Sequence, residues 1–191
     1  FKLMDTENSI EFMEPIYLKK PVFLKESKGL TPAERGIIMH LVMQHIDIDR
    51  VSSYGQIKEQ VDKLVFREFI TEVEAQSISI YKILKFFNSE VGIRMKRSNN
   101  VYREVPFYME VESTELYKQL PQHIYKDEKV LIQGIIDCYF EENNELILVD
   151  YKTDYVEDID LIKKRYQVQI YYYQRALEKL TDKKVKNKYL Y

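Results

Sequence analysis

Residues 131–154 read LIQGIIDCYFEENNELILVDYKTD, and they predict the centre of a β-sheet. Two runs rich in β-branched and aromatic residues flank Asn143-Asn144, a pair that tolerates the positive φ angles of a tight hairpin turn. In a two-residue hairpin, residues equally distant from the turn face each other, so Asp137 lies directly opposite Asp150. Cross-strand neighbours on one face have Cβ atoms roughly 4.5–5.5 Å apart. The stretch therefore predicts an antiparallel hairpin that brings two carboxylates together.

Lys152 is predicted to project to the same face as Asp150, because side chains on a strand repeat every second residue. Two neighbouring carboxylates repel, so one binds a proton or both share a cation such as Mg²⁺, which prefers oxygen ligands. This arrangement predicts metal-assisted phosphodiester hydrolysis. The structural alternatives are that Asp137 caps a turn and that Asp150 and Lys152 form a simple ion pair. Lys152 could orient the attacking water, contact a phosphate oxygen, or accept a proton if burial lowers its pKa.

The composition excludes several classes of protein. The 191 residues suit one domain, and 45% of them are hydrophobic, enough for a substantial core. The formal net charge of −2 gives no global field, so DNA binding would depend on local patches. The single cysteine, Cys138, excludes internal disulfides and a cysteine-ligated iron–sulfur cluster, and favours a reducing compartment. No apolar run approaches the roughly 20 residues of a membrane span, and no G-x-x-x-x-G-K loop for ATP occurs.

The order of predicted elements indicates an α/β fold. Residues 1–29 lack steady periodicity and are predicted to be an arm or linker before a domain over residues 30–191. Thr31 begins a helix with a capping box and a proline at the first helical position. We predict further helices at 53–68, 71–87 and about 158–180, strands at about 101–111, 130–140 and 145–151, and a last strand near the end of the chain. These elements form a mixed sheet flanked by helices.

Other polar residues are candidates for the same site. A lone helical histidine such as His40 is usually structural, and imidazole suits Mn²⁺ better than Mg²⁺. Gln169 interrupts an apolar stripe on the last helix, and either bonds to nearby backbone or faces the site with Tyr173. Glu104 either supports the metal ligands or is solvated. Basic residues that could contact phosphates, or simply lie in solvent, are Lys96, Arg97, Arg103, Lys163, Lys164 and Arg165.

Five ordered motifs resemble the RecB-like nuclease domains of the PD-(D/E)xK superfamily over about residues 30–180. They are Arg35-Gly36-x-x-x-His40, Arg103-Glu104-x-Pro106-Phe107, Gly134-x-x-Asp137, Asp150-Tyr151-Lys152-Thr153-Asp154, and Tyr166-x-x-Gln169-x-x-x-Tyr173-x-x-Ala176-Leu177.

The resemblance implies a restriction-endonuclease-like core with a helical insertion at about residues 47–98. It implies that Lys152, Asp150 and Asp137 are catalytic, and that Mg²⁺, with Mn²⁺ as the alternative, is bound by His40, Asp137, Asp150 and the Tyr151 backbone carbonyl. Residues with supporting or DNA-binding roles would be Gln169, Tyr173, Glu104 and Arg35.

Within this superfamily, Leu30 to Gly36 and Lys188 to Tyr191 are similar to the nuclease domain of the AddA family of bacterial helicase–nuclease proteins. This similarity implies a piece of a longer chain that cuts single-stranded DNA delivered by its own ATP-driven helicase part. It also implies an AddB-like partner, double-strand-break repair and recombination, and a place in the bacterial cytoplasm near the nucleoid. The alternatives are a docking module that keeps the fold without catalysis, and a stand-alone exonuclease.

Overall fold

The computed structural model describes residues 29–117, 127–152 and 159–191, with side chains for all of these except 159–163. The predicted arm therefore lies almost entirely outside the described residues. The helices are α1 Pro32–His45, α2 Tyr54–Phe66, α3 Glu72–Gln76, α4 Ile80–Asn88, α5 Glu90–Arg97, α6 Ser113–Leu116 and α7 Ile159–Thr181, with a short 3₁₀ helix at Ile48–Arg50. The strands are β1 Val101–Glu112, β2 Lys129–Glu142, β3 Glu145–Asp150 and β4 Val185–Leu190.

The four strands form one mixed sheet in the order β1-β2-β3-β4. The β1–β2 and β2–β3 pairs are antiparallel, whereas β4 runs parallel to β3 because α7 carries the chain back across the sheet. The predicted α/β class with a mixed sheet flanked by helices is confirmed.

The β2–β3 hairpin has the predicted register. Asn143 and Asn144 have φ angles of 53° and 64°, the left-handed values that a tight two-residue turn requires. Cys138 pairs with Val149. The next step along both strands therefore brings Asp137 to the level of Asp150.

Side-chain caps decide where the helices begin. Thr31 and Glu34 form the predicted capping box of α1, in which each side chain accepts a hydrogen bond from the other residue's backbone. The prediction of one helix over 71–87 was wrong, because Ser79 caps a separate helix, α4, through the N–H of Lys82. No helix was predicted between residue 87 and the first strand, and this was also wrong. Ser89 caps a further helix there, α5, which carries the basic residues of that region.

Two hydrophobic layers enclose the sheet. One cluster packs α1, α2, α4 and α5 against one face and contains Phe86, Phe140 and Ile147. The other packs α7 against the opposite face and contains Ile136, Leu148 and Leu177. All six side chains are almost fully buried, so each face of the sheet is anchored to its own helical layer.

At Glu104, the side chains of β1 and β2 switch from one face of the sheet to the other. The Arg103–Cys138 pair lies on the α1 side, where Cys138 is in the first core, whereas Val105 and Ile136 pack in the second core on the α7 side. Glu104 lies between these pairs with a φ of 52°, which interrupts the pairing without shifting its register. Left-handed backbone at a residue other than glycine costs roughly 1–2 kcal/mol. Strain of this kind is concentrated at functional sites.

We expect Gly92→Ala to destabilise the α4–α5 corner. A Cβ at residue 92 would lie 2.6 Å from the Phe87 Cα, and backbone atoms there cannot move aside cheaply. The substitution should lower the free energy of unfolding by roughly 2–3 kcal/mol and the melting temperature by about 5 °C or more. Thermal and urea unfolding measure both quantities. Gly55→Ala is the matched control, since a Cβ there meets nothing within 4 Å and α2 gains up to about 1 kcal/mol of helix propensity. Equal losses in the two variants would contradict the close packing at Gly92.

Candidate functional site

Asp137 and Asp150 form the buried centre of the site. Asp150 is fully buried and Asp137 is only 6% exposed. Asp137 Oδ2 accepts a hydrogen bond from the Tyr151 backbone N–H at 2.7 Å. The Lys152 ammonium forms an ion pair with Asp150 Oδ2 at 2.7 Å, but neither Asp150 oxygen makes a well-formed hydrogen bond with the described residues. A carboxylate buried in this way needs a further cation.

Burial dominates the electrostatics of both carboxyl groups. It raises the pKa of Asp137 to about 7, with a further contribution from the charge of Asp150, while His40 and Lys152 oppose the shift. Burial also raises the pKa of Asp150, and the neighbouring Lys152 opposes that shift. The protein thus disfavours two negative charges here unless a cation neutralises them.

His40 reaches the carboxylates from α1. Its Nε2 donates a hydrogen bond to the Tyr151 carbonyl at 3.0 Å, since a carbonyl can only accept. Nδ1 then faces Glu104 Oε1 at 3.5 Å and Asp137 Oδ1 at 3.6 Å. Burial alone would lower the pKa of His40, but Glu104 and Asp137 outweigh it and raise that pKa.

The three side chains His40, Glu104 and Asp137 have the geometry of a metal site. One ligand atom from each lies within 4.8 Å of the other two. Glu104, predicted as a supporting residue or a solvated one, occupies a ligand position in this set. Asp150, predicted as a ligand, is outside this cluster and next to Lys152. The Tyr151 carbonyl, also predicted as a ligand, accepts the His40 hydrogen bond. Carboxylate oxygens and one imidazole suit Mg²⁺ or Mn²⁺, so these residues fit a divalent cation.

Lys152 is held by three groups around it. Besides Asp150, its ammonium donates to Gln169 Oε1 at 3.1 Å and lies 4.2 Å from the centre of the Tyr166 ring. Gln169 in turn donates from Nε2 to the Tyr173 hydroxyl at 2.6 Å. The structure therefore brings Gln169 and Tyr173 to the site, as one of the two sequence-based interpretations expected.

Gly134 and Phe107 support this chain of contacts, a role that sequence reasoning missed. The Phe107 ring meets the Tyr173 ring edge to face, with centroids 5.6 Å apart. A Cβ at residue 134 would lie 2.8 Å from that Phe107 ring, so glycine permits the packing. A glycine inside a strand often marks a close approach, and this was the available signal.

Basic residues predicted near the site have different surroundings. Arg103 donates to the backbone carbonyls of Met43 and Ile46, so it anchors the end of α1 and is a poor candidate for phosphate binding. Arg35 is exposed on α1 and lines a cavity that Lys152 also lines. The side chain of Lys163 lies outside the part of the chain that the structure describes.

The chain belongs to the PD-(D/E)XK nuclease superfamily, whose family model matches residues 17–191. Over all 191 residues it is 87% identical to an ATP-dependent helicase/nuclease subunit of Clostridium kluyveri strain ATCC 8527. It is 53% identical over the same length to the protein of that name in Clostridium botulinum strain Langeland. The predicted similarity to AddA-type proteins is therefore confirmed.

The chain spans only 16% and 15% of the length of these two relatives. Both relatives are bacterial proteins. Among the described residues, no helix is long and apolar enough to cross a membrane.

We expect Asp137→Asn to stabilise the metal-free protein at high pH. The folded-state pKa of Asp137, about 7, lies above the unfolded value of about 3.9, so the folded state binds the proton more tightly. Stability contributed by the neutral carboxyl is therefore lost as the pH rises from about 4 to 7. Asparagine does not ionise. At pH 8 in chelator, the melting temperature of the Asp137→Asn variant should therefore exceed the wild-type value by a few degrees.

The difference should shrink as the pH falls toward 4. Thermal unfolding across this pH series is the measurement, and added Mn²⁺ should raise the wild-type melting temperature more than that of the variant. A difference that does not change with pH would mean that Asp137 carries no raised pKa.

Proposed function

We propose that the chain is a divalent-metal-dependent deoxyribonuclease domain that hydrolyses phosphodiester bonds of single-stranded DNA. The observation that carries the proposal is the buried Asp150, whose oxygens lack well-formed hydrogen bonds from the described residues, next to the His40, Glu104 and Asp137 cluster. Membership of a nuclease superfamily supports the reaction class. The presence of the whole set, together with Lys152, favours catalysis over a docking module without chemistry.

The residues that would hold Mg²⁺ or Mn²⁺ are His40, Glu104, Asp137 and Asp150. When bound, such a cation supplies Lewis-acid stabilisation of the negative charge that develops on the phosphate. His40 would bind through Nδ1, because Nε2 is occupied by the Tyr151 carbonyl. That second contact sets the tautomer and the ring orientation, as is usual for histidine ligands.

Lys152 is proposed to bind the phosphate group at the cleaved bond or to orient the attacking water. Its contacts with Asp150, Gln169 and the Tyr166 ring are those of an ammonium group with a defined position. A positioned cation at the reacting group lowers the barrier because it is already oriented when charge develops. Gln169 is a positioning residue, because Tyr173 fixes its amide and its oxygen then faces Lys152.

The proposed biological setting is based on the names of the relatives. A helicase/nuclease protein joins strand separation to cleavage, so we propose that this domain cuts single strands that an ATP-driven helicase part of a longer parent chain delivers. We further propose an AddB-like partner, a role in double-strand-break repair and recombination, and a place in the bacterial cytoplasm with the nucleoid. The sequence contains no G-x-x-x-x-G-K loop, so ATP hydrolysis by that route belongs to another part of such an assembly.

Asp150→Ala should abolish metal-dependent cleavage of a labelled single-stranded oligonucleotide. Loss of this carboxylate removes a proposed ligand and the partner of Lys152, so we expect the rate to fall by a factor on the order of 10³. Gel analysis of products in Mg²⁺, in Mn²⁺ and in chelator measures it. The control is Asp62→Ala, which removes an exposed carboxylate of α2 that pairs with Lys58 and is not part of the site, and this variant should cleave like the wild type. Equal cleavage by wild type and Asp150→Ala would end the assignment of the site.

Tyr173→Phe should slow cleavage without weakening DNA binding. The variant removes the hydroxyl that orients Gln169, and the aromatic ring with its Phe107 contact is preserved. We expect kcat to fall roughly tenfold at nearly constant KM, because the interaction acts on the reacting group.

Two comparisons separate positioning from folding. Tyr171→Phe, a hydroxyl deletion at a half-exposed position of the same helix, should retain full activity. Combining Tyr173→Phe with Gln169→Ala should cause no greater loss than Gln169→Ala alone if the two residues act through one contact. Additive losses would refute the relay from Tyr173 to Lys152.

A further inference from the structure

A basic groove lies beside the site between α1 and α4. We call it the α1–α4 groove, and define it by Arg35, Met39, Lys82, Lys85, Phe86 and Tyr191. Its volume is about 710 Å³, and Tyr151 and Lys152 line it as well, so it meets the proposed reaction centre at Lys152. Backbone hydrogen bonds link Tyr191 to Asp150 and Lys152, which places the Tyr191 ring at this junction.

The charge of the groove is of one sign. Five basic side chains line it, namely Arg35, Lys82, Lys85, Lys152 and Arg165, and no acidic residue does among those described. Arg35, Lys82 and Lys85 form no ion pair with any other described residue, although the chain as a whole carries a net charge of −2. Lys82 and Lys85 are three residues apart on α4, so they project from one face of that helix. Uncompensated cations lining one cavity attract a polyanion.

Apart from Ser77 and Ser79, the remaining walls are apolar and aromatic. We call Met39, Ile83 and Phe86 the apolar floor, and Tyr191 is 37% exposed. A ligand that suits both sets of groups has phosphates along one edge and flat apolar rings along the other. Single-stranded nucleic acid has this character, because its bases are free to stack on aromatic side chains. In a duplex the bases stack on each other, and the apolar floor would have nothing to contact.

We propose that the α1–α4 groove holds the single-stranded DNA that flanks the cleaved phosphate, with Lys82 and Lys85 on backbone phosphates and a base against Tyr191. The proposal rests on the nuclease function proposed above and adds a DNA-binding role for helix α4, which supplies no residue of the reaction centre. Phosphate contacts of this kind position the strand without reading its sequence.

The test compares two double variants that remove equal charge. The variant Lys82→Ala/Lys85→Ala removes two positive charges from the groove. The control Lys58→Ala/Lys63→Ala removes two lysines of α2 that pair with acids on their own helix. Binding of a labelled oligothymidine is measured in chelator over a range of salt concentrations, so no cleavage occurs. The groove variant should bind on the order of tenfold more weakly at 0.1 M salt, and its salt dependence should fall by about 0.7 for each lost contact. The α2 variant should bind like the wild type.

Cleavage by the same proteins in Mg²⁺ or Mn²⁺ separates this proposal from the nuclease assignment. The groove variant should show a raised KM with kcat within about twofold of the wild type, because its lysines do not touch the reacting atoms. Unchanged binding, or equal weakening in both double variants, would overturn the groove while leaving the nuclease function in place. If the wild-type protein binds DNA through the groove but does not cleave it, the nuclease proposal is contradicted and the groove proposal is supported.

A blunt duplex of the same sequence content is the competitor that tests strand type. It should displace the labelled single strand poorly, because its bases cannot reach Tyr191. Equal competition by the duplex would contradict the single-strand proposal.

Discussion

The burial of Asp137 and Asp150 on adjacent strands governs the chemistry of the site. Two carboxylates removed from water are unfavourable unless positive charge and N–H donors surround them. The protein supplies part of this compensation through His40, Lys152 and the Tyr151 N–H, and the raised pKa of Asp137 shows that it is incomplete. The incomplete compensation is what makes the site suitable for a divalent cation.

The geometry of the sheet explains how residues from both helical layers meet there. The side chains of β1 and β2 switch from one face of the sheet to the other at Glu104, so this point of the sheet is accessible to α1 on one side and to α7 on the other. Arg103 ties the end of α1 to β1, and Phe107 supports Tyr173 on α7. Strained backbone at Glu104 is thus compensated by packing in two separate cores, each with its own fully buried side chains.

Predictions from local rules were accurate where the local signal is strong and no longer pattern competes with it. The turn at Asn143-Asn144 and the capping box at Thr31 depend only on φ preferences and short hydrogen bonds, and both occur as expected. The break between α3 and α4 was missed because the apolar periodicity continues through it, and the Ser79 cap is a weaker signal than the pattern. Arg103 was misjudged because its partners are carbonyl groups roughly 60 residues earlier in the chain.

The sequence alone predicts an antiparallel hairpin with Asp137 opposite Asp150 and Lys152 beside them, because strand periodicity and turn chemistry are local properties. Its motifs also identified the nuclease superfamily. The folded protein, in contrast, places Glu104 in the candidate metal cluster and lines a groove next to the site with Lys82 and Lys85. Those placements depend on how separate helices and strands pack around two cores. Long-range packing of this kind leaves no periodic signal in the residues concerned.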